Sequence, residues 1–271
     1  MEGSQVQGPV PTLLSTLNQK QLETLARFRE RYGDRLDDHT LARFLEARKF
    51  DDQKATQMIE KLFSWRIEQE VDQIHLFEFP ELPQVKQVYP HGFHKTDRYG
   101  RPIYIERIGA LDLNRLFEIT TEERMLKYYI REYEAMVKEK IPACARAAGF
   151  PVEQTLTILD LGGSSMKLMS KKVINFVKIA SSVCQDYYPE ILGRMFLVNT
   201  PTLFSMAWKV IKGFVDKKTQ KKIVTEGSRY QRKLLELVAP ENLPDFLGGT
   251  CNCEGGCLSS NAGPWSALPS S

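Results

Sequence analysis

No apolar run in this chain approaches the roughly 20 residues that a bilayer-spanning helix needs. The uncharged stretch from Met195 to Trp208 is shorter and holds Asn199 and Pro201. The opening residues lack the basic start and apolar run of a secretory signal, so a cytoplasmic location is expected. Cysteine is sparse and odd in number, five in 271 residues, which suits a reducing compartment better than a disulfide framework. Neither sign of charge is in excess: 37 Lys and Arg stand against 34 Asp and Glu, a net of +3, which argues against a nucleic-acid partner. With 42% apolar residues the chain is too apolar and too evenly charged to be disordered, and it is long enough for a proper core.

Motifs of catalysis are missing as well. The strand-to-helix junction Asp160-Leu161-Gly162-Gly163-Ser164-Ser165 stands where nucleotide folds put a phosphate loop, yet it matches neither G-x-G-x-x-G nor G-x-x-x-x-G-K-[ST]. Met166 rules out G-x-S-x-G. Glycines serving a tight turn are the simpler reading, and an α/β enzyme built on this loop is the alternative from another functional class. His91 and His94 lie close in sequence without a ligand set around them. Cys251, Cys253 and Cys257 form C-x-C-x-x-x-C with no histidine in the preceding 150 residues, and Cys144 and Cys184 fall in helical text. A structural zinc site wants four ligands, so no metal is expected and the three cysteines are read as free thiols in a terminal loop.

What is present is unevenly distributed. Between Lys209 and Lys233 nine Lys or Arg face only Asp216 and Glu226, a local cationic surface in a chain that is otherwise slightly acidic. Residues 1–18 read as a flexible tail. Residues 19–74 read as a helical bundle, because Leu41, Phe44, Leu45 and Arg48 share a face after the caps Asp37 and Asp38, and Ala55, Met58, Ile59, Leu62 and Arg66 repeat the spacing. From 75 to 247 strand and helix patterns alternate. Strands are expected at 103–107, 155–161, 194–199 and 223–225, a turn at 97–102, a helix from the capping box Thr120/Glu123 to just before Pro142, and another from Ser170 to about Tyr187. This is an α/β domain with a mainly parallel sheet. Residues 248–271 form a Cys/Gly/Ser segment.

Two constellations invite a binding role. On a helical wheel over 202–215, Leu203, Phe204, Met206, Ala207, Trp208, Val210, Ile211 and Phe214 cover an arc of roughly 200°, with Ser205, Lys209 and Lys212 opposite. Such a segment is either a core helix or an amphipathic element for an anionic membrane surface, its lysines at the headgroups. Thr155 and Thr157, two apart on a strand, project their hydroxyls to one side.

Five motifs in order resemble the CRAL-TRIO lipid-binding family, and more narrowly its Sec-fourteen type of phosphatidylinositol/phosphatidylcholine transfer protein. They are Arg43-Phe44-Leu45-x-Ala47-Arg48-Lys49-Phe50, His94-Lys95-Thr96-Asp97-x-x-Gly100-Arg101-Pro102, Glu122-Glu123-Arg124-Met125-Leu126-Lys127, Tyr187-Tyr188-Pro189-Glu190 and Pro240-Glu241-Asn242-Leu243-Pro244. The segment before Gly263-Pro264-Trp265 is similar to that of plant members. The resemblance implies a helical front lobe and an α/β lobe whose apolar pocket holds one phospholipid behind a gating helix. It places the phosphatidylinositol headgroup on Arg48, Glu190 and Lys222. It places the phosphatidylcholine headgroup on Phe93, Tyr104, Thr155 and Thr157, where Phe93 stands for the family's tyrosine and Thr155 for its serine. The gate and membrane contact become Leu203, Phe204, Ala207, Trp208, Lys209, Ile211, Lys212, Gly213 and Phe214. It implies lipid exchange without catalysis or cofactor, in a monomer that visits Golgi, endosomal or plasma membranes transiently and presents phosphatidylinositol to lipid kinases. A tocopherol or retinoid, as in other members, is the alternative cargo.

Overall fold

A computed structural model describes residues 8–164, 171–201 and 204–267. Side-chain caps open its first three helices, α1 (Gln19–Tyr32), α2 (Asp38–Ala47) and α3 (Asp52–Glu68). The carboxamide or carboxylate oxygens of Asn18, Asp37 and Asp51 accept from the amides of Gln21, Thr40 and Lys54, each cap contributing about 1 kcal/mol. The apolar stripes seen in sequence are buried, Leu41, Leu45, Ala55 and Ile59 completely. The expectation of a flexible tail is corrected over residues 13–18. Leu13, Leu14 and Leu17 pack on the helical core, and the Leu13 amide donates to Glu153 across 2.8 Å.

The remaining helices are α4 (Leu82–Val88), α5 (Leu113–Ile119), α6 (Glu122–Ala135), α7 (Ile141–Ala148), α8 (Lys171–Tyr187), α9 (Phe204–Ile211), α10 (Lys217–Lys222) and α11 (Gln231–Leu237). Two boundaries differ from the sequence reading. Thr121, not Thr120, caps α6 by accepting from the Arg124 amide, while the Thr120 hydroxyl donates to Glu81. Pro142 does not end the helical run. A π-helical turn over Met136–Lys140 leads into α7, placing Pro142 in the first turn, where a missing N–H costs little, and Gly149 closes the helix at φ 75°. Ser170 and Leu203 lie outside the described residues.

Five strands, β1 (His91–Thr96), β2 (Pro102–Glu106), β3 (Thr155–Asp160), β4 (Leu192–Val198) and β5 (Ile223–Thr225), form one sheet in chain order. β1 and β2 are an antiparallel hairpin, and β2 to β5 run parallel. β1 escaped the sequence reading because His91, Gly92, Phe93 and His94 are all buried, so no alternation marks the strand. Its outer surface is covered by the C-terminal segment: a Cβ on Gly92 would stand 2.6 Å from the Leu258 carbonyl oxygen, and the Lys95 amide donates to the Ala262 carbonyl. The three terminal cysteines are free thiols, as expected, but they do not lie in an open loop. Cys251 and Cys257 are buried against this strand.

The two faces of the sheet differ. Ile103, Ile105, Leu156, Ile158, Phe196 and Val198 pack solidly against Leu234 of α11, against Val238 just past it, and against Leu243, Leu247 and Leu258. The opposite residues on the same strands border a cavity. A second apolar cluster joins the helical front to α6, α7 and α8. Within it, the half-buried guanidinium of Arg66 on α3 meets the buried carboxylate of Glu134 on α6 at 3.0 Å, and Glu134 also accepts from the Tyr188 hydroxyl at 2.7 Å and pairs with Lys138 at 2.9 Å. Burial pushes the Glu134 carboxyl up, but these donors hold it below the usual carboxylate range. Glu134→Ala leaves the Tyr188 hydroxyl unpaired and Arg66 with the exposed Asp72 alone, so it should cost about 1 to 3 kcal/mol, read as a lower urea midpoint at unchanged slope.

Candidate functional site

The cavity beneath the sheet has a volume of about 1200 Å³, above the roughly 300 to 1000 Å³ typical of small-molecule pockets. Pleating decides its floor. Tyr104, Thr155, Thr157, Leu159, Met195 and Leu197 line it, alternating with the residues that pack on α11. Met125, Tyr128, Tyr129 and Tyr133 of α6 and Phe176 and Val177 of α8 wall it. On the remaining side α9 presents Phe204, Trp208 and Ile211, with Phe214 from the turn that follows. Lys209, Val210, Lys212 and Gly213 are exposed on the outer side of this wall. The side chain of Ala207 is outside the described residues. Nothing lies within 4 Å of a Cβ built on Gly213, so no steric contact demands glycine there.

Register brings the threonine and aromatic set together. Phe93 opposes Tyr104 across the hairpin, and Tyr104 is level with Thr157, so Phe93, Tyr104, Thr157 and Met195 form one row across four strands. The Phe93 and Tyr104 rings lie 4.9 Å apart, and the buried ammonium of Lys140 stands 5.2 Å from the Phe93 centroid. That cation competes for the ring's π face. Thr155 begins β3 and donates its amide to the Ile191 carbonyl, one residue past Glu190. Lys222 is the last residue before β5. The polar groups therefore gather at the amino ends of β3, β4 and β5.

Glu190 is the centre of that polar end. Its backbone is left-handed, φ 61°, an uncommon conformation for a residue with a side chain, and it turns the carboxylate between two lysines. Lys222 Nζ is 3.2 Å from Oε2 and Lys218 Nζ is 3.1 Å from Oε1. Lys218 also reaches Glu46 at 2.5 Å, two residues before Arg48, which ends α2 at the same cavity rim. Consecutive left-handed residues, Lys49 at φ 54° and Phe50 at φ 57°, turn the chain back at this point. Arg48, Glu190 and Lys222 thus border one cavity, Glu190 and Lys222 in direct contact. Lys218 was missed in the sequence, although it precedes Lys222 by one helical turn.

Residues 86–249 match the family model of the CRAL/TRIO domain. The chain belongs to the CRAL/TRIO family. It is 46% identical over 235 residues to the Sec14 cytosolic factor of Schizosaccharomyces pombe, covering 86% of this chain and 82% of that one. It is 44% identical over 232 residues to the phosphatidylinositol/phosphatidylcholine transfer protein SFH9 of Arabidopsis thaliana, covering 84% of this chain and 40% of the relative. A solved structure of Sfh5 superposes with a TM-score of 0.63 at 19% identity, over 81% of this chain and 84% of the other, a likeness of fold. Among the described residues no helix is long and apolar enough to cross a membrane.

Two further groups of the CRAL/TRIO cavity escaped the sequence reading. Glu106 follows Tyr104 by two on β2 and so borders the same cavity, with Tyr89 and Tyr104 beside it. The i, i+2 spacing could have disclosed it. Tyr129 and Tyr133 both contact Cys184 Sγ at 2.9 Å. The Asp160 loop is occupied structurally: Asp160 Oδ1 accepts from the Gly162 amide at 2.9 Å and from Asn199 at 2.8 Å, and a Cβ on Gly109 would meet the Gly162 carbonyl oxygen at 1.9 Å. Burial pushes the Glu106 carboxyl up, and the two tyrosine hydroxyls oppose the shift only in part. A carboxyl raised on folding loses stability as pH climbs above its unfolded value, about 4.3. Glu106→Gln should therefore raise the thermal midpoint at neutral pH, and the gain should vanish below about pH 4 in a melting series.

Proposed function

We propose that this chain holds one phospholipid with its acyl chains along the sheet floor and its headgroup at the Glu190 end, and exchanges it between membranes. The observation that carries the reading is a large apolar cavity with a cationic rim at one end. A dry apolar void of about 1200 Å³ at roughly 24 cal/mol per Å³ would cost on the order of 30 kcal/mol, more than a domain's whole stability of about 5 to 15 kcal/mol. An apolar cargo of matching size removes that cost. Two acyl chains of about thirty methylenes lose roughly 0.8 kcal/mol each in water, over 20 kcal/mol together, so unassisted passage through water is rare. A pocket as apolar as the bilayer makes the exchange nearly balanced. No bond is made or broken, and the protein is no enzyme.

Lys222 and Arg48 would donate to the phosphodiester, and Glu190 would accept from inositol hydroxyls. For phosphatidylcholine, Thr155, Thr157 and Tyr104 supply hydroxyls, while Phe93 brings a ring already engaged by Lys140. The name of the Arabidopsis relative, a phosphatidylinositol/phosphatidylcholine transfer protein, supports both lipids as cargo. Exchange would open α9 at an anionic cytoplasmic membrane, Val210 entering the interface and Lys209 and Lys212 meeting headgroups. The opened mouth would also offer phosphatidylinositol to a lipid kinase.

Transfer of labelled lipids between vesicles tests the headgroup assignment. Losing a charge-assisted hydrogen bond costs about 1.5 to 3 kcal/mol, so Lys222→Ala and Glu190→Ala should each slow phosphatidylinositol transfer at least about tenfold and spare phosphatidylcholine. Equal transfer by both variants and the unaltered protein would remove the site. Recovery of a phosphate-free isoprenoid by solvent extraction would overturn the cargo. For the gate, Lys209→Glu with Lys212→Glu should weaken binding to vesicles containing anionic lipid by about 1 kcal/mol per charge removed, measured by co-sedimentation at low salt.

A further inference from the structure

The fold assembles a second constellation, on the far side of β1 from the parallel strands. His94 of β1 and the C-terminal Cys251, Cys253 and Cys257 bring one ligand atom each to within 4.8 Å of one another. All five cysteines of the chain are free thiols. The Sγ atoms of Cys251 and Cys253 are 3.7 Å apart, against about 3.8 Å for the edge of a tetrahedron with Zn–S bonds of about 2.3 Å.

His94 is the observation that points to a ligand. It is completely buried, and neither ring nitrogen has a hydrogen-bond partner among the described residues; the Cys257 backbone lies nearby without bonding geometry. His91, three residues earlier on the same strand, has both nitrogens placed, one at 2.7 Å from the Tyr89 carbonyl and the other at 3.2 Å from the Tyr128 hydroxyl. A buried polar group left without a partner costs about 1 to 3 kcal/mol. An imidazole surrounded by three thiols has a natural partner in a metal ion.

We propose that His94, Cys251, Cys253 and Cys257 bind one zinc ion that clamps the C-terminal segment onto β1. Three thiolates and an imidazole form a soft, closed Cys₃His set, which suits Zn²⁺ and excludes Mg²⁺ and Ca²⁺. Ligand atoms this close fit one ion. Binding releases the thiol protons to solvent, and Zn²⁺ with three thiolates leaves a net charge of −1. Lys95 Nζ, 3.0 Å from Cys251 Sγ, offsets that charge, as outer groups of metal sites do. The local backbone is built for the turn: Gly255 at φ 73° and Gly256 at φ 89° reverse the chain, and the Gly256 amide donates to the Cys253 carbonyl at 2.9 Å. The consequence reaches the cavity wall. Trp265, eight residues past Cys257, packs edge-on against Phe93, ring centroids 6.2 Å apart.

Metal analysis of the full chain, purified under reducing conditions without chelator, should find about one zinc per chain. Replacing it with Co²⁺ should give thiolate-to-cobalt charge-transfer and tetrahedral d–d bands. Cys253→Ser lies in a half-exposed turn and keeps the fold by circular dichroism. It should abolish those bands and weaken zinc binding at least about tenfold. His94→Asn should act in the same direction, and Cys144→Ala, outside the cluster, should keep full zinc. Metal-free protein that fails to take up Zn²⁺ or Co²⁺ would overturn the proposal. So would undiminished zinc in Cys253→Ser, or a disulfide within the cluster in protein purified with thiol reductant.

Discussion

A parallel sheet has two apolar faces to cover, and here protein side chains cover only one of them. α11 and the segment after it close over Ile103, Ile105, Leu156 and Ile158, while α6, α8 and α9 stand away from the other face as walls. The row of Tyr104, Thr157 and Met195 therefore faces a cavity and not a packed layer. That single asymmetry makes the molecule a container. It also explains why the helical front is tied on so firmly. The seam of Arg66, Glu134 and Tyr188 fixes α6, whose opposite side is a cavity wall and so receives no packing support from the sheet.

The polar end follows from the same geometry. Parallel strands β3, β4 and β5 begin at one edge of the cavity, so residues just before them converge although they are far apart in sequence. Glu190 and Lys222 meet there, and Lys218 links them to the end of α2. In this arrangement each lysine is held by a carboxylate, so no charge is buried alone, a state that would be expensive. Lys140 over Phe93 puts positive potential at that ring, which disfavours a second cation there.

The C-terminal segment supports the other side of β1. It contributes Leu258 against Gly92 and Trp265 against Phe93, so a ring that lines the cavity is held from behind. A zinc clamp at His94 would make this support independent of the small apolar area that a segment of its composition can bury.

Much of the architecture was legible in the linear text because it rests on short-range rules. The cap Asp37, the stripes of α2 and α3, and strands β2 to β5 declare themselves by spacing within a few residues. The family resemblance singled out Arg48, Glu190 and Lys222 as headgroup residues, and all three line the cavity. What stayed hidden depends on covering and on closure. β1 has no alternation because the C-terminal segment buries its second face, and Pro142 is tolerated because a π turn resets the helix before it. Lys218 and Glu106 look like ordinary surface charges until the chain folds them toward a cavity. The sequence by itself determined the elements, their order and the family; only the tertiary structure decided that one sheet face stays open and that His94 meets three cysteines over 150 residues away, because strand pairing and segment return join positions that no local periodicity relates.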